Sequence, residues 1–239
     1  MQFLNNRSRR HQKASGTWAY TSKYGLMTRI VNVVLMPMLV LMAATAFTAR
    51  AQASDPKIVL ALGDSLTAGY GLAQPDAFPV QLQAALVSTG VNVQVVNAGV
   101  SGDTSAGGRS RLQWLLANRV DAVVVELGAN DGLRGLDPAQ TRDNLDWIMA
   151  TLKKRQIPTL ITGMFAPPNL GEDYGAEFNS IYPDLAKKYG ALYDTFFLEG
   201  VAADPTLNQA DGIHPNADGV LVIVKRLAPK IQELLQHTK

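Results

Sequence analysis

Ser65, Asp211 and His214 are the residues of this chain whose types and spacing could carry covalent chemistry. A serine hydroxyl is a weak nucleophile near neutral pH. It needs a base within hydrogen-bond reach and a third group to orient that base. Of the three histidines, His11 lies in a basic N-terminal leader and His237 is third from the C-terminus, where a tail should fray. His214 is bracketed by Gly212 and Pro215 and has Asp211 three residues before it, close enough for the two to pair and leave Nε2 facing a serine. Ser65 sits where an apolar run ends in Gly63-Asp64-Ser65, small turn residues that allow a tight bend and an exposed hydroxyl. Asp64 reads as a structural residue that ties this loop down by hydrogen bonds. A tetrahedral intermediate would also need donors aimed at its oxyanion. The Ser65 N–H, the Gly102 N–H and the Asn130 side-chain amide are the candidates, which makes the chemistry acyl transfer.

These residues need a scaffold that brings distant positions together. The runs 57–62 (KIVLAL), 92–96 (NVQVV), 121–127 (DAVVVEL), 158–162 (PTLIT) and 191–196 (ALYDTF) predict five strands. Helical spacing or helix-start signals predict helices over 77–89, 108–118, 138–156 and 174–189, and a last helix over about 216–236, bent at Pro229. Asp137-Pro138 reads as an N-cap followed by proline at the first helical position. Regular β-α alternation with apolar strands argues for a parallel sheet covered on both faces, hence one three-layer α/β domain. In such a sheet the loops at the carboxyl ends of the strands carry the site. Gly63–Leu66, Asn97–Thr104 and Gly128–Asp131 follow three of the predicted strands, and Asp211–His214 precedes the last helix.

The chain resembles the SGNH, or GDSL, hydrolase superfamily through GDSLTAGYGL, NAGVSGDTS, VELGANDGLRG, IYPDLAKKYG and DGIHPN, in the expected order across 57–236. Within it, the chain is similar to the periplasmic bacterial thioesterase, protease and lysophospholipase group and its arylesterase relatives. The resemblance implies a flavodoxin-like five-stranded sheet in the order 2-1-3-4-5. It implies Ser65 as nucleophile, His214 as base, Asp211 as its orienter, and Ser65, Gly102 and Asn130 as the oxyanion hole. It further implies a serine esterase acting on acyl esters and thioesters such as aryl esters, acyl-CoA and lysophospholipids, with no cofactor and no metal. The segment 163–173 (GMFAPPNLGED) lies where this group has a loop bordering the acyl site, so Met164, Phe165, Pro167 and Leu170 are candidate substrate-binding residues. A carbohydrate-ester deacetylase on the same fold remains an alternative. So does a non-catalytic flavodoxin-like binding module, against which the chain offers no Walker-type run ending in Lys-Ser or Lys-Thr and no strand-linked Gly-x-Gly-x-x-Gly. The Gly-x-Ser-x-Gly nucleophile elbow is also absent, since position 67 is Thr.

Composition sets the outer limits. With 239 residues, 47% hydrophobic and 18% charged, the chain has globular composition and enough length for one sizeable core. Its lack of cysteine excludes disulfides, thiolate metal sites, thiol nucleophiles and a lipid-modified N-terminal Cys. The first 53 residues hold seven of the 22 basic residues and no acidic one, so residues 54–239 carry 15 Lys or Arg against 20 Asp or Glu, net −5. A mildly acidic body argues against a nucleic-acid partner. Arg29, the apolar run 30–47 (IVNVVLMPMLVLMAATAF) and the small residues of Ala49–Ala53 read as a secretory signal peptide cleaved near Ala53, with Met27 as a candidate true start. The expectation is a leader over 1–53, a hydrolase domain over 54–239 and periplasmic or secreted residence. After cleavage no stable membrane anchor is expected, and the enzyme is expected to be a monomer whose partner is a small-molecule substrate.

Overall fold

The computed structural model describes residues 55–238. The leader, its cleavage near Ala53 and a start at Met27 lie outside the described residues. Five strands, β1 (Lys57–Gly63), β2 (Val93–Gly99), β3 (Ala122–Glu126), β4 (Thr159–Thr162) and β5 (Leu192–Asp194), form one sheet in the order 2-1-3-4-5. Every pairing is parallel. The central strands are apolar without alternation because both faces are covered: every residue of β3 and β4 is buried, as are the last five of β1.

Helices α1 (Ser65–Ala68), α2 (Phe78–Ser88), α3 (Ser105–Leu115), α4 (Ala129–Leu133), α5 (Pro138–Lys154), α6 (Glu172–Tyr189) and α7 (Ala217–Gln236) complete the domain. α2 packs against α7, whereas α3 and α6 both pack against α5, so two helical layers sandwich the sheet. One continuous core runs through both interfaces, with Phe78, Leu82, Leu145, Ile148, Phe178, Tyr182 and Phe197 among its largest buried side chains. Burying each such side chain contributes about 1.5–3 kcal/mol. No helix among the described residues is long and apolar enough to cross a membrane.

Several boundaries differ from those read in the sequence, each for a local reason. α3 begins at Ser105 rather than near Gly108, because the Thr104 hydroxyl caps the helix by accepting from Gly107 N–H. Gly107 and Gly108 both lie inside the helix. A side chain at 108 would run into Leu127 of β3's exit loop, with Leu127 Cδ1 only 2.2 Å from a Cβ there. α5 has the predicted start, its Asp137 carboxylate accepting from Ala139 N–H at 2.9 Å, but it ends at Lys154. β5 is half the predicted length. α7 is one helix that continues through Pro229. The short helices α1 and α4 have no signal in periodicity, since each spans little more than one turn, and both lie directly at the ends of central strands.

Candidate active site

Three strand ends and one C-terminal loop converge on a single rim. β1 exits through Gly63 and Asp64 into α1, whose first residue is Ser65. Asp64 is the N-cap of α1, its Oδ1 accepting from Leu66 N–H at 3.0 Å. This holds the turn tight and leaves the Ser65 N–H without an acceptor among the described residues. The exit of β2 carries Gly102, whose φ of +82° is the left-handed conformation that favours glycine. Arg134 Nη2 donates to the Gly102 carbonyl at 2.8 Å, and the Gly102 N–H likewise has no acceptor among the described residues. Arg111 of α3 clamps the base of both loops. It donates to Asp103 Oδ2 at 2.7 Å, to Ala98 O at 2.6 Å and to Gly63 O at 2.8 Å.

The loop before α7 delivers His214. It is pinned by hydrogen bonds from Gln209 N–H to His214 O at 2.8 Å and from Gln209 Nε2 to Tyr70 O at 2.7 Å, which ties this loop to the residues just past α1. The Tyr70 and His214 rings lie 4.7 Å apart between centroids. His214 Nε2 lies 2.9 Å from Ser65 Oγ and its Nδ1 lies 2.7 Å from Asp211 Oδ2. Asp211 Oδ1 accepts from the backbone N–H groups of Ile213 and His214, each at 3.0 Å. The His214 N–H, then the bond to its ring, then the Ile213 N–H hold the Asp211 carboxyl down at about 2. Asp211 is therefore an anion at every pH where an imidazole is neutral. The arrangement can pass a proton from Ser65 Oγ to a ring whose far side is held by a carboxylate.

Asn130, on α4 at the end of β3, opens on the same cleft, but its amide is not idle. Nδ2 donates to Asp64 Oδ2 at 3.0 Å and to Asp103 O at 2.9 Å. To serve an oxyanion it must share one of these two hydrogens.

Beside Ser65 lies a cavity of about 220 Å³ whose lining includes Leu66, Leu133, Met164, Phe165, Pro167 and Phe196. Met164, Phe165 and Pro167 are thus placed beside the serine. Leu170 is not in this lining: it sits in the turn Pro168–Leu170, with Cδ2 3.5 Å from the position of a Cβ on Gly135. Sequence reasoning did not single out Leu133, Phe196 or Ile213, the last also lining the cavity. Leu133, Phe165 and Ile213 are about half exposed, so the mouth is apolar as well as the interior. A larger cavity of about 440 Å³ lies at the opposite ends of β4 and β5, bordered by Pro158, Thr159, Ala191 and Leu192, away from Ser65. No cluster of His, Asp or Glu suited to a metal ion occurs among the described residues.

Known proteins share this arrangement of sequence and fold. The model of the GDSL-like lipase/acylhydrolase family matches residues 61–221. The thioesterase 1/protease 1/lysophospholipase L1 of Escherichia coli is 41% identical over 191 residues, 80% of this chain and 89% of the relative. Esterase TesA of Pseudomonas aeruginosa is 38% identical over 201 residues, 84% of this chain and all of the relative. Among solved structures, AlinE4, a SGNH-hydrolase family esterase, superposes with a TM-score of 0.64 at 47% identity, covering 75% of this chain and 96% of that one.

Proposed function

Because the chain belongs to the GDSL-like lipase/acylhydrolase family, we propose that it is a serine esterase in which Ser65, His214 and Asp211 form the catalytic triad. The observation that carries this reading is the unbroken chain of contacts from Ser65 Oγ to His214 Nε2, at 2.9 Å, and from His214 Nδ1 to Asp211 Oδ2, at 2.7 Å. Ser65 Oγ attacks the carbonyl carbon of an acyl ester or thioester while His214 Nε2 takes its proton. His214 then returns that proton to the departing alcohol or thiol, and the acyl group stays on Ser65. Water attacks the acyl carbon of the acyl-enzyme and gives a proton to His214; as the bond from Ser65 Oγ to the acyl carbon breaks, His214 returns that proton to Ser65 Oγ and the carboxylic acid leaves. The Ser65 and Gly102 N–H groups, which have no acceptor among the described residues, and the Asn130 amide hold the oxyanion in both steps. No step requires a cofactor or metal.

Asn130→Ala should lower kcat by about 100- to 1000-fold with little change in KM, the usual cost of losing an oxyanion donor. Steady-state kinetics on one ester would check it, and wild-type turnover would take Asn130 out of the site.

The apolar lining favours an alkyl or aryl acyl group over an acetylated sugar, whose hydroxyls would find few partners there. Along a p-nitrophenyl ester series, kcat/KM should rise roughly fourfold per added methylene, about 0.8 kcal/mol each, until the cavity is filled. Phe165→Ala should flatten that rise, because Phe165 forms part of the wall and its ring packs, tilted, 4.7 Å from that of Phe196. An optimum at acetyl, indifferent to Phe165, would favour the carbohydrate-ester deacetylase. The same series with acyl-CoA thioesters tests the thioesterase activity that the Escherichia coli relative's name carries. The basic and apolar leader supports export to the periplasm with removal near Ala53, after which the domain would meet small-molecule esters as a monomer.

A further inference from the structure

Behind the serine lies a pair of buried acids that the acyl-transfer steps do not use. Asp64 and Glu126 are both fully buried. Glu126 is the last residue of β3 and lies opposite Gly63 of β1 in the sheet. A Cβ at position 63 would stand 2.4 Å from Glu126 Oε2 and 2.0 Å from Thr67 Oγ1, so the glycine that begins the turn makes room for this carboxyl. Glu126 Oε2 accepts from Thr67 Oγ1 at 2.7 Å and from Asp64 N–H at 3.2 Å. These two donors flank Ser65 in sequence, one residue before it and two after. Asp64 in turn holds Leu66 N–H with one oxygen and the Asn130 amide with the other. A single side chain on the central strand therefore secures both ends of the turn bearing Ser65 and, through Asp64, the amide of Asn130.

We propose that Glu126 is a positioning residue for this turn and that it acts as a hydrogen-bond acceptor, without needing its charge. Its charge follows from its surroundings. No cation contacts either carboxyl among the described residues. Burial, with the neighbouring Asp64 adding to it, pushes the Glu126 carboxyl well above the ordinary carboxylate range. Burial pushes Asp64 up only to about 6, since Leu66 N–H and the Asn130 amide support its charged form. Of the two acids, Asp64 is therefore the readier to ionise. The other groups bearing on the pair are Tyr182 of α6, Asp131 of α4 and His214. Arg111 of α3 is directed instead to the Gly63 carbonyl. Ionising Glu126 would place a second anion against Asp64 and disturb the turn.

The inference rests on Ser65 as the nucleophile, and the test separates the two. Glu126→Ala removes the acceptor of both the Asp64 N–H and the Thr67 hydroxyl, and should lower kcat by roughly 100-fold, the scale of a small misplacement of a reacting group, with KM changed by less than about twofold. Glu126→Gln keeps an acceptor oxygen and no charge, so it should rescue kcat to within about threefold of wild type. Unaltered kcat in Glu126→Ala, or kcat in Glu126→Gln as low as in Glu126→Ala, would each overturn it. If Glu126→Ala does not fold, the kcat of a folded Glu126→Gln decides alone: within about threefold of wild type is the expected result, and a loss near 100-fold overturns it. Ser65→Ala is assayed beside them: activity there removes the nucleophile reading and this inference with it, whereas an inert Ser65→Ala beside an unaltered Glu126→Ala removes only the inference.

Discussion

Ser65→Ala should give a folded protein whose turnover on acyl esters is lower by roughly a million-fold, the scale at which loss of a serine nucleophile disables a triad. The loss should fall almost wholly on the chemical step. Ser65 is the first residue of α1, where alanine is at least as good a helix former, and its hydroxyl bonds to His214 and to no other described residue. The turn itself is secured by Asp64, Thr67 and Glu126, which the substitution leaves in place. Thermal unfolding of the variant should therefore stay close to wild type. The check is pre-steady-state release of p-nitrophenol with substrate in excess: wild type shows a burst matching the enzyme concentration, and the variant shows none. Turnover within tenfold of wild type in Ser65→Ala would mean that the acyl group is never carried on this residue.

Asp211→Asn should cost roughly ten-thousand-fold in kcat, the scale found when the carboxylate of such a triad is made an amide. An asparagine keeps an oxygen for the Ile213 and His214 N–H groups, so the loop retains its local bonds. What changes is the bond to His214 Nδ1. Presenting an amide NH2 there favours the ring form with its proton on Nε2, which cannot accept from Ser65 Oγ. The Asp211 side chain is 39% exposed, unlike the deeply buried acids behind Ser65, so water has access to the position. A loss below about tenfold would show that solvent orients the ring as well as the carboxylate does, and would reduce Asp211 to a loop-capping residue. Wild type should show no loss of Asp211 charge down to mildly acidic pH, because its carboxyl is held near 2.

The sheet was legible because buried parallel strands announce themselves: 122–125 and 159–162 are apolar or hydroxylic throughout, and β-α alternation leaves few topologies. Family resemblance supplied the strand order. Boundaries were less legible where a cap outside the expected helix set its start, as at Thr104, whose hydroxyl accepts from Gly107 N–H and begins α3 three residues before Gly108. Ser65, Asp211 and His214 stood out by type and spacing, and the structure brings them within hydrogen-bond distance. The cavity wall did not stand out. Leu133, Phe196 and Ile213 come from separate loops, and nothing in a one-dimensional pattern marks their convergence. Leu170 illustrates the reverse: proximity in sequence to Phe165 and Pro167 did not put it in the wall. Glu126 carried a signal that reading by motif passes over, a lone acid closing an otherwise apolar strand, VVVE.

The bond between His214 and Ser65 spans 149 positions of chain, and the Gln209 to Tyr70 bond that braces it spans 139. A growing or refolding polypeptide can therefore build β1 to β4 and most of the core while its serine still lacks a base. Reactivity arrives only when the segment leading into α7 docks. Long-range closures of this kind are slow relative to local helix formation. On the proposed triad, hydrolytic competence is thus a property of the finished molecule, completed only when the segment leading into α7 brings His214 to Ser65.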